Sequence, residues 1–292
     1  KLIKKAKTKL KENQEAIEIK GKVYIKTYHD DLYLNFDKLK EHVWGIGKTG
    51  VGKSVFLKRV ARSLLKFRSE NPGLKKLKKM IINDVKGDFI QEFYDEKDFI
   101  LINPFDERGY GIDIFSLIKV ETDISLILNS VVPDNPKTDP IWVQSPRQIL
   151  ESAIYTCLRT GKKTNKELAR ILKLPSKLML KEFSYINIDE EGKKQRVPYK
   201  GCETGFQHLN SSQGDNLLSG AISYFEVFYA LGNSKKNINI EDYLLNEERN
   251  LLLATFSNIS ERIAPIFSLF INQFYYMTMY LNEDPDRNIK LI

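Results

Sequence analysis

Only two cysteines occur in 292 residues. Cys157 and Cys202 lie far apart, without metal-ligand spacing. A reducing compartment without a disulfide framework is the simplest reading. Histidine is nearly as scarce, with three in the chain. His29 reads as a turn residue, and His42 and His208 have no partners at ligand or catalytic spacing. No apolar run reaches the length of a membrane span: the longest, 266–281, is short and interrupted by Asn272 and Gln273. No signal peptide, internal repeat or low-complexity segment stands out. The first residue is Lys1, so the expectation is a piece of a longer protein with any membrane anchor upstream.

What is present is enough for a full core, with 42% hydrophobic residues, so disorder is not the default. The net charge of +8 and the isoelectric point of about 9.1 suit a polyanionic partner such as nucleic acid or an acidic membrane surface. Charge alone decides nothing, because lysine-rich proteins without such partners exist.

The chain is organised around Gly47-Lys48-Thr49-Gly50-Val51-Gly52-Lys53-Ser54, which fits the phosphate-binding pattern G-x-x-x-x-G-K-[ST] at every fixed position. The apolar stretch His42–Ile46 before it reads as a strand. After it, Val55, Phe56, Val60 and Leu64 alternate with Lys58, Arg59 and Arg62 in helical spacing. Gly47, Gly50 and Gly52 let the loop turn tightly and keep side chains out of the way of phosphates. The amides of Thr49, Val51 and Val55 belong to the same cradle at a helix start, where the dipole favours an anion. Lys53 is expected to reach the β- and γ-phosphates of ATP, and Ser54 to ligate Mg²⁺.

Val23–Lys26 and Leu32–Phe36 read as a hairpin turning at His29-Asp30-Asp31. The basic run 1–11 is either a solvated helix or a juxtamembrane segment. Lys75, Lys76, Lys78 and Lys79 form a second basic cluster, expected in a solvated loop and open to phosphate contact. Met80–Asn83 and Phe99–Ile102 read as buried strands, the first ending in Asp84. Strands alternating with helices predict an α/β fold with a parallel, doubly wound sheet. From about 125 to 235 helical periodicity takes over. Helices are expected at 142–159, with Ile149, Ala153, Ile154 and Cys157 inward, at 165–172, and within 212–231. A hairpin is expected at 185–199 around Glu191-Gly192. The sheet resumes at Asn250–Phe256, followed by a long helix, 259–281, that tolerates Pro265 in its first turns, and a last strand at 288–292. Trp142, Phe225, Phe228 and Tyr229 read as core. The resulting domains are a basic segment 1–20, a nucleotide-binding part 21–125, a helical insertion 126–235 and a second nucleotide-binding part 236–292.

Three stretches together, the phosphate loop, Asp84-Val85-Lys86-Gly87-Asp88-Phe89 and Asn103-Pro104-Phe105-Asp106-Glu107-Arg108, resemble TraD/TraG-type coupling proteins of type IV secretion and conjugation. The segment 251–270, with Arg262 and Pro265, is similar to that family as well. The resemblance implies a RecA-like P-loop ATPase carrying an all-α inserted domain, anchored on the cytoplasmic face of the bacterial inner membrane and assembled as a hexamer. It also implies cooperation with secretion-channel components and delivery of DNA or protein substrates. The family's acidic Walker B pair is expected just beyond Ile292, which would leave this chain able to bind nucleotide and poorly equipped to hydrolyse it. A rival assignment makes Asp84 the Mg²⁺-side carboxylate; its bland counterpart is that Asp84 and Asp88 cap the next helix. Arg262 is either a finger reaching a neighbouring subunit or a surface ion pair. Asn103, Asp106 and Arg108 are expected to fix a loop at the strand end. The alternatives are a substrate or adaptor receptor with little DNA binding, and a HerA/FtsK-like DNA translocase.

Overall fold

The computed structural model describes residues 22–26, 31–35, 52–76, 78–255, 260–281 and 289–291. The chain divides into two compact units, 1–80 with 285–292, and 81–284.

In the first unit, β1 (Lys22–Lys26) and β2 (Asp31–Asn35) pair antiparallel, with Lys22 opposite Asn35 and Lys26 opposite Asp31. This is the hairpin expected from the apolar alternation. The helix α1 (Lys53–Glu70) follows and packs on β1. It buries Val60, Ala61, Leu64 and Arg68. The Arg68 guanidinium donates to the carbonyls of Lys75 and Lys78, tying the helix end to the segment after it.

The second unit is built on a parallel sheet. β3 (Met80–Asp84) is followed by one turn of helix, α2 (Ile90–Phe93), and by β4 (Phe99–Ile102). β5 is short (Gly111–Ile112). A largely helical stretch comes next: α3 (Thr122–Val131), α4 (Ile141–Thr160), α5 (Asn165–Leu172) and α6 (Ser176–Phe183). The hairpin β6 (Ser184–Ile188) and β7 (Lys194–Pro198) interrupts it. Then come α7 (Glu203–Leu209) and α8 (Gly214–Asn233). The chain returns through β8 (Asn237–Ile238), α9 (Ile240–Asn246), β9 (Asn250–Ala254) and α10 (Ser260–Tyr280). A two-residue strand, β10 (Lys290–Leu291), follows in sequence and belongs to the first unit.

β9 sits between β3 and β4, parallel to both, with Leu251 level with Ile81 and Ile100. All four residues of β4 and all five of β9 are buried, which is why these strands read as unbroken apolar runs. The helical stretch is closed at its base. β5 and β8 pair in parallel, and Asn165 bolts them: its Nδ2 donates to Ile112 O (2.7 Å) and to Asn237 Oδ1, and its Oδ1 accepts from Ile114 N. The α4 residues Ile149, Ala153, Ile154 and Cys157 are fully buried, as their spacing predicts. Thr164 caps α5, its hydroxyl accepting from Glu167 N.

Candidate nucleotide-binding site

α1 starts on a residue that only glycine occupies cheaply. Gly52 has φ 90 and ψ 14, the left-handed region. A Cβ there would meet nothing within 4 Å, so the position demands a backbone angle rather than space. Phe56 N donates to Gly52 O at 2.9 Å. The amides of Lys53, Ser54 and Val55 therefore fall in the first turn, where a helix has no intrahelical acceptors for them. Gly52 offers no side-chain cap, and no acidic residue occupies that turn. Gly52, Lys53, Ser54 and Val55 are all exposed. A phosphate fits such an end, with Lys53 adding positive charge and Ser54 a hydroxyl. Val55 is 50% exposed, and the first buried side chain of the helix is Val60. Gly47, Thr49, Gly50, Val51 and the strand expected at 42–46 lie outside the described residues.

At the carboxyl end of β3, Asp84 is buried, 3% exposed. Its Oδ1 accepts from Asp88 N at 3.1 Å, and its Oδ2 from Phe89 N at 2.7 Å and Ile90 N at 2.9 Å. The carboxylate thus closes the turn through Gly87 (φ 78) and caps α2, while the Asp84 carbonyl accepts from Thr255 N next to β9. Asp88 is exposed.

The end of β4 is held in the same manner. Asn103 is fully buried, donating to Ala254 O (3.0 Å) and accepting from Phe105 N (3.0 Å). Asp106 takes both a backbone bond and a bidentate pair from Arg108. The Arg108 hydrogen bonds hold the Asp106 carboxyl below the usual carboxylate range, and Asp106 in turn raises Arg108. The Arg108 guanidinium also lies over Tyr94, 5.1 Å from the ring centroid. These residues fix the loop, as expected. The sequence reading missed Gly109, where a Cβ would sit 1.9 Å from Asn103 O. Its one cue was a glycine just past a turn-rich run.

Expectations for the basic cluster and for Trp142 changed, while others held. Lys78 and Lys79 are buried, Lys79 completely, because they lead straight into β3 rather than sitting in a solvated loop. Trp142 is 39% exposed; its ring lies against Gly220, where a Cβ would come within 2.9 Å. Phe225 and Phe228 are core residues, and the Tyr229 hydroxyl donates to Leu172 O. His208 is hydrogen-bonded to Gln148, and burial lowers its pKa. Arg262 lies in α10. No group of three or more metal-ligating side chains occurs among the described residues, and none of their helices is long and apolar enough to cross a membrane.

A parallel sheet with flanking helices, together with a glycine-led helix start carrying Lys and Ser, defines the RecA-like P-loop class. Solved structures share this fold. Unbound TrwBΔN70, a bacterial conjugative coupling protein, has a TM-score of 0.62 at 22% identity, over 84% of this chain and 53% of that one. The plasmid coupling protein TrwB with the non-hydrolysable ATP analogue ADPNP has a TM-score of 0.62 at 22% identity, over 84% and 54%. TrwB with ADP and Mg²⁺ gives 0.61 at 22%, again over 84% and 54%. A family model described as the type IV secretion-system coupling protein DNA-binding domain matches residues 29–193. That match covers more than half of the chain, and the chain belongs to this coupling-protein family. Coupling protein TraD of Escherichia coli (strain K12) is 28% identical over 109 residues, 37% of this chain and 14% of TraD. The chain spans about half the length of the TrwB structures and a smaller share of TraD.

Proposed function

We propose that this chain is the nucleotide-binding part of a conjugation or type IV secretion ATPase that takes ATP and Mg²⁺ at the start of α1. The observation carrying this reading is the exposed, acid-free first turn behind a left-handed Gly52, in sequence register with the phosphate-binding pattern. Lys53 contacts the terminal phosphates, Ser54 supplies the hydroxyl for the metal, and the amides of Gly47, Thr49, Gly50, Val51, Gly52 and Val55 complete the cradle. Bound Mg²⁺ would neutralise phosphate charge. Asp84 serves by holding the strand-end turn in place. In the whole protein, the motor would be membrane-anchored at the cytoplasmic face of the inner membrane, hexameric, and engaged in moving DNA or protein substrate to the channel. Nucleotide-bound TrwB and the DNA-binding description of the family support this reading.

Calorimetry with Mg²⁺ and a non-hydrolysable ATP analogue tests it. The wild-type chain should bind, and Lys53→Ala should weaken binding by about a hundredfold, roughly 2.7 kcal/mol. Because Lys53 is exposed, stability should change by less than about 0.5 kcal/mol. Equal affinity of the two proteins would refute the assignment.

A further inference from the structure

Charge in the second unit is sharply segregated. Residues 81–284 carry 22 Lys and Arg against 29 Asp and Glu, yet residues 159–200 alone carry 12 against 5, leaving 10 against 24 for the rest. A stretch of net +7 is thus set in a body of net −14. It comprises the end of α4, α5, α6 and the β6–β7 hairpin. Lys166 and Arg170 stand at i and i+4 on the exposed side of α5, Lys173 follows at its carboxyl cap, and Lys177 and Lys181 stand at i and i+4 on α6. Arg170 is paired with both oxygens of Glu167 and with Glu182, all at 2.9 Å, which joins α5 to the end of α6 and leaves the lysines as the available cations.

Aromatic rings lie at the edge of this surface. The hairpin register sets Tyr185 opposite Val197, so Tyr185 and Tyr199 share one face. Their ring centroids are 5.2 Å apart. The Arg159 guanidinium, from the last turn of α4, covers Tyr199 at 3.6 Å from its centroid and donates to Glu182 O. Three residues distant in sequence thus form one cluster, with the guanidinium over one ring and the second ring tilted 40° against the first. Its outer member, Tyr185, is 42% exposed. A half-open aromatic surface within a lysine-rich stretch matches unpaired bases, which stack, and their phosphates, which need cations. A duplex hides the faces of its bases, and an acidic protein would complement the charge without using the ring. Asp189, Glu190 and Glu191 are exposed at the hairpin tip and repel phosphate, so a strand would cross the hairpin base and not its tip.

We propose that the base of the β6–β7 hairpin is a contact surface for single-stranded nucleic acid, with Tyr185 stacking on a base and Lys181 and Lys200 meeting phosphates. This rests on the DNA-handling reading above and assigns it a place and a strand form. The test is fluorescence anisotropy of labelled dT20 with the full 292-residue chain across a salt series, with a 20-bp duplex as competitor. Tyr185→Ala should weaken dT20 binding about tenfold and leave the log–log salt slope unchanged, and Tyr185→Trp should restore affinity. The double reversal Lys181→Glu/Lys200→Glu should flatten the slope by roughly 1.4, two phosphates at about 0.7 each. Unchanged binding of the nucleotide analogue shows that each variant is folded. If dT20 binding ignores both Tyr185 and the two lysines, or the duplex competes equally while Tyr185→Ala has no effect, this surface is wrong and the broader DNA reading survives. If the wild-type chain binds no nucleic acid, both fall.

Discussion

The amino end of α1 and the carboxyl ends of β3 and β4 are both places where an open α/β protein receives ligands, yet they are built in opposite ways. At α1, a side-chain-free Gly52 in the left-handed region opens a helix whose first turn is exposed and free of carboxylates. At β3 and β4, the polar side chains are committed to the protein's own backbone: Asp84 accepts three amides, and Asn103 bridges to β9 and to its own loop. One end is shaped by what it leaves open, and the other by what it closes. Substitutions at the first should therefore move ligand affinity, and substitutions at the second should move stability.

The harshest test of that contrast is Gly109→Ala. A Cβ would lie 1.9 Å from the Asn103 carbonyl, and backbone cannot give way as a flexible side chain does. A loss of about 3 kcal/mol or more is expected, read as a fall in the urea midpoint; a midpoint equal to wild type would mean the β4 loop is not held as described. Asp84→Ala should follow, at about 2–3 kcal/mol, because it strands buried amides, and Asp84→Asn should cost less, since one oxygen remains. This variant separates two roles: a cap loses stability while the folded fraction keeps its nucleotide affinity, whereas a group acting on the nucleotide does the reverse. Gly52→Ala should cost about 1–2 kcal/mol, from forcing an alanine to φ 90. That loss should be visible in apo stability, with nucleotide affinity reduced as well if the turn relaxes towards ordinary helix.

The smallest effect concerns acid. Arg249 hydrogen bonds hold the Glu247 carboxyl at about 2, down from its ordinary 4.5. A depressed folded-state value stabilises the protein above the unfolded value and loses that contribution as the pH falls from about 4.5 to about 2. The pair is partly exposed, so about 1 kcal/mol or less is at stake. Arg249→Ala should flatten the acid limb of a stability-versus-pH curve, and an unchanged limb would show the pair to be screened.

Regular elements were easiest to anticipate where burial is uniform or strictly periodic. β4 and β9 bury every residue and appear as unbroken apolar runs. α4 shows its inward face in the spacing of Ile149, Ala153, Ile154 and Cys157. α7 and α9 span only Glu203–Leu209 and Ile240–Asn246, too few turns for periodicity to speak. Lys79 misled because a lysine next to others looks solvated until the start of a buried strand is located.

The phosphate-binding pattern needed no fold to be found. In the role proposed for it the chemistry would reside in main-chain amides, and the sequence need only supply glycines, one ammonium group and one hydroxyl at fixed spacing. The strand alternation and the helical stretch were likewise set by local burial patterns. Tertiary structure alone decided that Asn103 would bridge to β9, that Asn165 would lock β5 to β8, and that the Arg159 guanidinium would cover Tyr199. Those outcomes join residues tens of positions apart, and a pairwise contact leaves no period or spacing in the chain that makes it.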